Sequence, residues 1–242
     1  MPIIYLSPST QEKNYYVNGG TEEQYMNLLA DKMVPYLNAS GIRYSRNTPE
    51  MTAVSSIAAS NAGNYDLHLA LHSNAAPEGK YGSARGIIVF YYPGSQEGQR
   101  AATIIANNLK SIYPLPNLVR AEATTSIGEV RRVRAPAVFL ELGYHDNQED
   151  AAWIKQNLDA VAKNLCDFFD IPFLDPSTSR SGRVDVDWGV LNIRARPDLE
   201  APILAQAPDG SPLTILNQSG GWYLVNYAGT IGYAKDDFVT LN

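Results

Sequence analysis

Apolar positions follow two different periods along this chain, and the two alternate. Short, nearly continuous apolar or β-favouring runs occur at Ile3–Leu6, Tyr65–Leu71, Gly86–Tyr92 and Ala135–Tyr144. Runs of this length and composition predict strands buried in a sheet. Between them the spacing changes to that of a helix with one apolar face. Met26, Leu29, Met33 and Leu37 form one such face, and Ala101, Ile104, Ile105 and Leu109 a second. A third helix is predicted over Ala151–Phe169, with Trp153 or Ile154, Leu158, Val161 and Leu165 apolar. Thr21-Glu22-Glu23-Gln24 fits a capping box that starts the first helix, with Thr21 as the cap. Alternating strands and helices predict an α/β domain with a central mixed sheet flanked by helices.

The pattern changes after residue 172. Pro172–Ser181 is rich in Pro, Ser and Thr and reads as a connection. Short strand-like runs follow at Val190–Arg194, Leu213–Leu216, Trp222–Tyr227 and Ile231–Ala234, with Gly220-Gly221 and Ala228-Gly229 as hairpin turns. The predicted organisation is a first domain over 1–175, a linker over 176–183 and a small all-β barrel over 184–242.

Within this frame a few residues are chemically out of place. His72 closes the strand that runs through His68 and Ala70, and then a small polar loop begins. The ends of strands in α/β sheets are where reactive groups are placed, although a buried, hydrogen-bonded histidine is the plainer reading. Glu141 interrupts an apolar run, where a carboxylate is costly unless paired, metal-bound or protonated. A salt bridge is its structural explanation. A general base or metal ligand is its functional one, because desolvation raises its proton affinity. Glu22 and Glu23 stand in the first helical turn, where the helix dipole alone favours acids.

Taken in order, these segments resemble the zinc-dependent N-acetylmuramoyl-L-alanine amidases of the amidase-3 type, from about Ile3 to about Phe173. Asp66–Ala75 is similar to that family's strand ending in His-x-Asn-Ala. Ala135–Asn147 is similar to its Pro-Ala-(apolar)-Glu-x-Gly-Phe-x-x-Asn. The resemblance implies a zinc ion held by Glu23 and His72, with Glu141 as the catalytic glutamate and Asn74 as a substrate- or loop-orienting residue. Where the family places its first histidine ligand, this chain reads Ser7-Pro8-Ser9-Thr10-Gln11. Thr10 falls at or beside that position. Gln11 is the candidate third ligand, and His145 could swing back as an alternative. His68 lies roughly 13 Å from His72 along an extended strand, too far to share one ion easily.

From about Val184 the chain resembles a bacterial SH3 domain, on Leu191-Asn192-Ile193-Arg194 with Pro197, Gly221–Val225 and Gly232-Tyr233. That resemblance implies binding of cell-wall peptide, with Trp222, Tyr223, Tyr227 and Tyr233 as candidate contacts. Barrel core packing is the simpler role for Trp222 and Tyr223, which leaves Tyr227 and Tyr233 as the substrate-binding candidates. The expected activity is cleavage of the amide between N-acetylmuramic acid and L-alanine in peptidoglycan. The alternatives are a zinc peptidase acting on the stem peptide and a non-catalytic wall-binding protein on a degenerate amidase fold.

Composition agrees with this picture. At 242 residues and 45% hydrophobic, the chain has material for one medium and one small core. Its formal charge of −6 argues against nucleic acid as a partner. The single Cys166 rules out an internal disulfide framework. No run approaches the ~20 apolar residues of a membrane span. The start of the chain shows no secretory pattern, and action at the cell wall or outside the cell is expected from the activity.

Overall fold

A computed structural model describes residues 2–166 and 179–242. The described residues divide by contact density into two units, one within Ile3–Val34 and Tyr44–Phe169, the other within Met1–Pro2, Pro35–Arg43 and Asp170–Asn242.

The first unit is built on a six-stranded sheet with strand order β2-β1-β3-β6-β4-β5. Its strands are β1 (Ile3–Pro8), β2 (Arg43–Arg46), β3 (Leu67–Asn74), β4 (Ile87–Tyr91), β5 (Val119–Ala123) and β6 (Ala137–Tyr144). The β1–β3, β3–β6 and β4–β5 pairs are parallel, and β4 runs antiparallel to β6, so the sheet is mixed. The four apolar runs of the sequence are β1, β3, β4 and β6. Along β3 and β6 almost every residue is buried, as expected of strands covered on both faces.

The helices are α1 (Glu22–Ala39), α2 (Ala53–Ala62), α3 (Gln96–Leu109), α4 (Gly128–Arg131) and α5 (Gln148–Leu165). Thr21 Oγ1 accepts from Gln24 N at 3.2 Å, so the predicted cap starts α1. Met26, Leu29, Met33 and Leu37 are fully buried along it. The last residues of the third predicted helix, 167–169, lie outside the described residues, as do residues 176–178 of the predicted linker.

Asp150, in the first turn of α5, ties the carboxyl end of β6 to the amino end of β4. It is wholly buried and accepts from Arg85 Nε (3.0 Å), Tyr113 OH (2.6 Å), Gly86 N (3.0 Å) and Tyr144 N (3.1 Å). Gly143 leaves β6 at φ +74, directly above it. A Cβ there would come within 3.3 Å of Asp150 Oδ2 and Ile154 Cδ1, so both conformation and space require glycine.

The second unit carries a seven-stranded antiparallel sheet in the order β13-β7-β10-β11-β12-β8-β9. These are β7 (Arg180–Val184), β8 (Val190–Arg194), β9 (Ile203–Pro208), β10 (Pro212–Ser219), β11 (Trp222–Tyr227), β12 (Thr230–Lys235) and β13 (Val239–Leu241). Its core gathers Val184, Leu191, Ile193, Ile215, Tyr223 and Val225. Both predicted turns are present with positive φ at their central residues, Gly220-Gly221 and Ala228-Gly229, which suits the twist of two-residue hairpins. The barrel begins at Arg180, inside the stretch read as linker, because Arg180–Val184 pairs with β10 and β13.

Candidate active site

The site forms around His72 near the carboxyl end of β3. His72 is buried, and its ring stacks on Phe139 of β6 with centroids 4.1 Å apart. Nδ1 lies 2.7 Å from Glu22 Oε1 and Nε2 lies 3.5 Å from Glu129 Oε2. The imidazole is thus held between carboxylates from two helices, α1 and α4.

Glu22 is placed by the turn before α1. Glu22 N donates to Asn14 O at 2.8 Å, Tyr16 N donates to Gly20 O at 2.9 Å, and Gly19 and Gly20 take positive φ. Lys155 Nζ donates to the carbonyls of Asn18 and Gly19 and fixes this turn to α5. The other carboxylate oxygen, Glu22 Oε2, accepts from Asn14 Nδ2 at 2.6 Å. The sequence pointed to Glu23 as the partner of His72, and the structure corrects this. Successive residues on a helix are rotated by about 100°. With Glu22 turned to the sheet, Glu23 is partly exposed on another side of α1, and it is Glu22 that meets His72.

Glu129 arrives from α4, which is anchored by Val130 in a small cluster with Ala70, Ala137 and Phe139. Its Oε1 accepts from Ser7 Oγ at 2.6 Å and lies 3.2 Å from His68 Nε2. His68 is fully buried, contacts Ser60 Oγ through Nδ1 at 3.0 Å and stacks on Tyr5. The two histidines of β3 are too far apart to touch. Glu129 nevertheless reaches both, one through each oxygen.

Glu141 is the register partner of His72 on the adjacent parallel strand β6. Neighbouring residues in register project to the same face of a sheet, so Glu141 and His72 share one. Glu141 Oε2 is sealed from solvent and has no hydrogen-bond partner. Burial pushes this carboxyl up to about 8; the His72 charge opposes that shift and Glu22 adds to it. Burial acts to lower His72, but the carboxylates of Glu129 and Glu22 outweigh it and hold the imidazole up at about 9. Burial likewise acts to raise Glu129, yet His68 and His72 hold it down at about 2.

These shifts give the metal-free protein a defined pH profile. Glu141 binds its proton more tightly when folded, so its contribution is present below 4.5 and is lost as pH rises to about 8. His72 adds stability that is present below 6.5 and is lost as pH rises through about 9. Glu129 acts oppositely, with stability present above 4.5 and lost as pH falls to about 2. Thermal melts in chelator are expected to peak near pH 4.5, where the Glu129 gain ends and the Glu141 loss begins, and to decline steadily towards pH 9. A flat profile across the alkaline range would contradict these assignments.

The remaining sequence candidates separate. Gln11 does reach the site, with Nε2 3.4 Å from His72 Nδ1 and Oε1 accepting from Asn14. His145 does not. Its Nδ1 lies 2.9 Å from Ser73 O and 3.1 Å from Ser73 Oγ, and its ring stacks on Tyr16. Ser73 follows His72 on the strand and faces the opposite way. Asn74 accepts from Ala75 N through its own side chain, and its carbonyl accepts from His145 N at 2.8 Å, so it shapes the loop. In the barrel, Tyr223 is core as expected and Tyr227 packs against that core. Neither Tyr227 nor Tyr233 lines the barrel's cavity of about 310 Å³. That cavity is walled instead by Trp188, Leu199, Trp222, Lys235 and Phe238.

A larger cleft, about 640 Å³, opens over the site and is lined by Ser7, Ser9, Thr10, Gln11, His72 and Glu129 among others. The sequence profile of the N-acetylmuramoyl-L-alanine amidases matches residues 9–168. The chain belongs to the N-acetylmuramoyl-L-alanine amidase family. A bacterial SH3 domain profile matches residues 189–240. Comparison with curated proteins returns no match.

Among solved structures, the amidase AmiC2 of Nostoc punctiforme is 14% identical with a TM-score of 0.59, covering 68% of this chain and 93% of its own. The catalytic domain of the CD27L endolysin targeting Clostridia difficile is 20% identical with a TM-score of 0.60, covering 72% and 100%. The catalytic domain of CwlV, an amidase from Bacillus (Paenibacillus) polymyxa, is 14% identical with a TM-score of 0.60, covering 71% and 99%. At these identities the likeness concerns the fold. In this amidase-family chain, sequence reasoning missed Glu129 altogether. Gly128-Glu129-Val130-Arg131 is too short to show a helical period, and its one signal is an acid next to an isolated apolar residue.

Proposed function

We propose that the protein is a peptidoglycan hydrolase that cleaves the amide between the lactyl group of N-acetylmuramic acid and L-alanine. The observation that carries this reading is Glu141. It is a buried carboxyl with one orphaned oxygen, raised to about 8, on the strand beside His72. Family membership supports this reading.

The donor set suits a divalent cation such as zinc. Imidazole and carboxylate are both zinc ligands. Two ionised carboxylates, Glu22 and Glu129, flank one imidazole, an excess of negative charge that a cation would balance. The residues that would hold it are His72 with Glu22, Glu129 or Gln11. The chemistry a bound ion supplies there is polarisation of an amide carbonyl and acidification of water. The Glu141 carboxylate takes a proton from the attacking water as oxygen adds to the carbonyl carbon. It returns that proton to the amine nitrogen as the C–N bond breaks. Glu22 holds the His72 ring in place through Nδ1.

Digestion of purified peptidoglycan tests this reading. The expected products carry a new free amino group on L-alanine, identified by mass spectrometry. New termini elsewhere in the stem peptide would indicate a peptidase, and no new termini a binding protein.

The barrel is proposed to hold the wall through its aromatic cavity. Trp188 is 86% exposed at the rim of that cavity. Trp188→Ala in the full chain is expected to weaken co-sedimentation with purified wall roughly tenfold, because exposed tryptophans that anchor a partner dominate binding. Unchanged sedimentation would move the wall contact elsewhere.

A further inference from the structure

We infer that Glu129 replaces the missing histidine as a ligand of the divalent cation, bound at His72 Nε2, while Glu22 orients His72 from behind and is not a ligand. This rests on the metal-dependent reading above and specifies its site.

The first observation is the pair of distances at His72. Two donors bound tetrahedrally to zinc at about 2.0–2.1 Å stand about 3.4 Å apart. Nε2 and Glu129 Oε2 are 3.5 Å apart, close to that spacing. Nδ1 and Glu22 Oε1, at 2.7 Å, are in direct hydrogen-bond contact. A histidine that binds a metal through one nitrogen commonly donates the other N–H to a carboxylate, which fixes its tautomer. Glu22 occupies that place.

The second observation is access. The cleft over the site is walled by His72 and Glu129, together with Thr10 and Gln11 at the position of the absent histidine. An ion entering from the cleft therefore meets His72 and Glu129.

The third is the way Glu129 is held. Its Oε1 is occupied by Ser7 Oγ and His68 Nε2, which leaves Oε2 directed at His72. His68 and Ser7 are thus positioning residues for a monodentate carboxylate. Among the described residues no three His, Cys, Asp or Glu side chains converge ready-made on one point. The rest of the shell then comes from water and from the hydroxyl or amide oxygens along the Ser7–Gln11 wall.

The test is zinc titration by calorimetry into chelator-treated full chain, with cobalt(II) absorption as a second readout. Wild type is expected to bind one equivalent. Glu129→Gln should lose affinity ~100-fold or more and change the cobalt spectrum. Glu22→Gln should lose only ~10- to 100-fold, as outer-shell changes do, and keep the spectrum. Glu23→Gln should match wild type. Glu129→Asp guards against misfolding, since it keeps the charge near both histidines but shortens the reach. It should still lose affinity and alter the spectrum. Wild-type affinity in both Glu129 variants, with binding lost in Glu22→Gln, would overturn the assignment and leave the metal-dependent reading standing. No zinc binding by wild type would overturn both, and peptidoglycan digestion in chelator would then judge hydrolysis separately.

Discussion

Glu141→Gln is expected to lower peptidoglycan hydrolysis by ~10²- to 10⁴-fold, the range general acid–base catalysis supplies. The substitution is nearly isosteric, so the sheet should be undisturbed. Glutamine cannot accept the water proton or deliver one to the leaving amine, so turnover should fall far more than substrate binding. Stability should not fall with it. A buried carboxyl with an orphaned oxygen is a cost to the fold, and the amide removes its ionisation. In chelator, the variant should therefore melt at or above the wild-type temperature at pH 8, with a shallower decline towards alkaline pH. The measurement is initial rate on soluble muropeptides beside a melting curve. Turnover within a few-fold of wild type would remove Glu141 from the chemistry.

Asp150→Ala is expected to produce the largest loss of stability, about 3–5 kcal/mol, as when one member of a buried ion pair is removed. Four donors point at this carboxylate, from Arg85, Gly86, Tyr113 and Tyr144. Its removal leaves them facing an apolar methyl, most of them without water to replace it. Arg85 also touches Glu149, so its charge keeps one partner, but the backbone N–H groups of Gly86 and Tyr144 lose the carboxylate oxygen they donate to. For a domain of this size the change corresponds to a fall in melting temperature of roughly 10 °C or more. Because Tyr144 ends the strand that carries Glu141, activity below the melting temperature should also decline. A shift of only a degree or two would mean that these donors find other partners.

How much of this was legible beforehand differs from element to element. The buried strands could be read because sheets covered on both sides demand continuous apolar runs. The start of α1 could be read from Thr21 and Gln24, since capping is local chemistry. Glu141 could be read because a carboxylate in such a run conflicts with its surroundings. Glu23 was misjudged because a one-residue difference on a helix is a rotation of about 100°. Only the packing of α1 on the sheet fixes that rotation. His68 was set aside on its distance from His72, and that distance does not decide the matter, because Glu129 from a remote short helix bridges the two. In the barrel, Tyr227 and Tyr233 looked available because they are aromatic. The bend before β8 and the strand β11 placed Trp188 and Trp222 on the cavity wall instead.

The sequence by itself determined the alternation of strands and helices, the separate small barrel, the strand-end position of His72 and the misfit of Glu141. Each of these rests on periodicity or local chemistry, which act over a few residues. The tertiary structure alone decided which glutamate faces His72, that Glu129 joins it from across the fold, and that His145 turns away to Ser73. Those outcomes depend on helix rotation and on contacts between side chains 50 to 72 residues apart, and no local pattern in the chain encodes them.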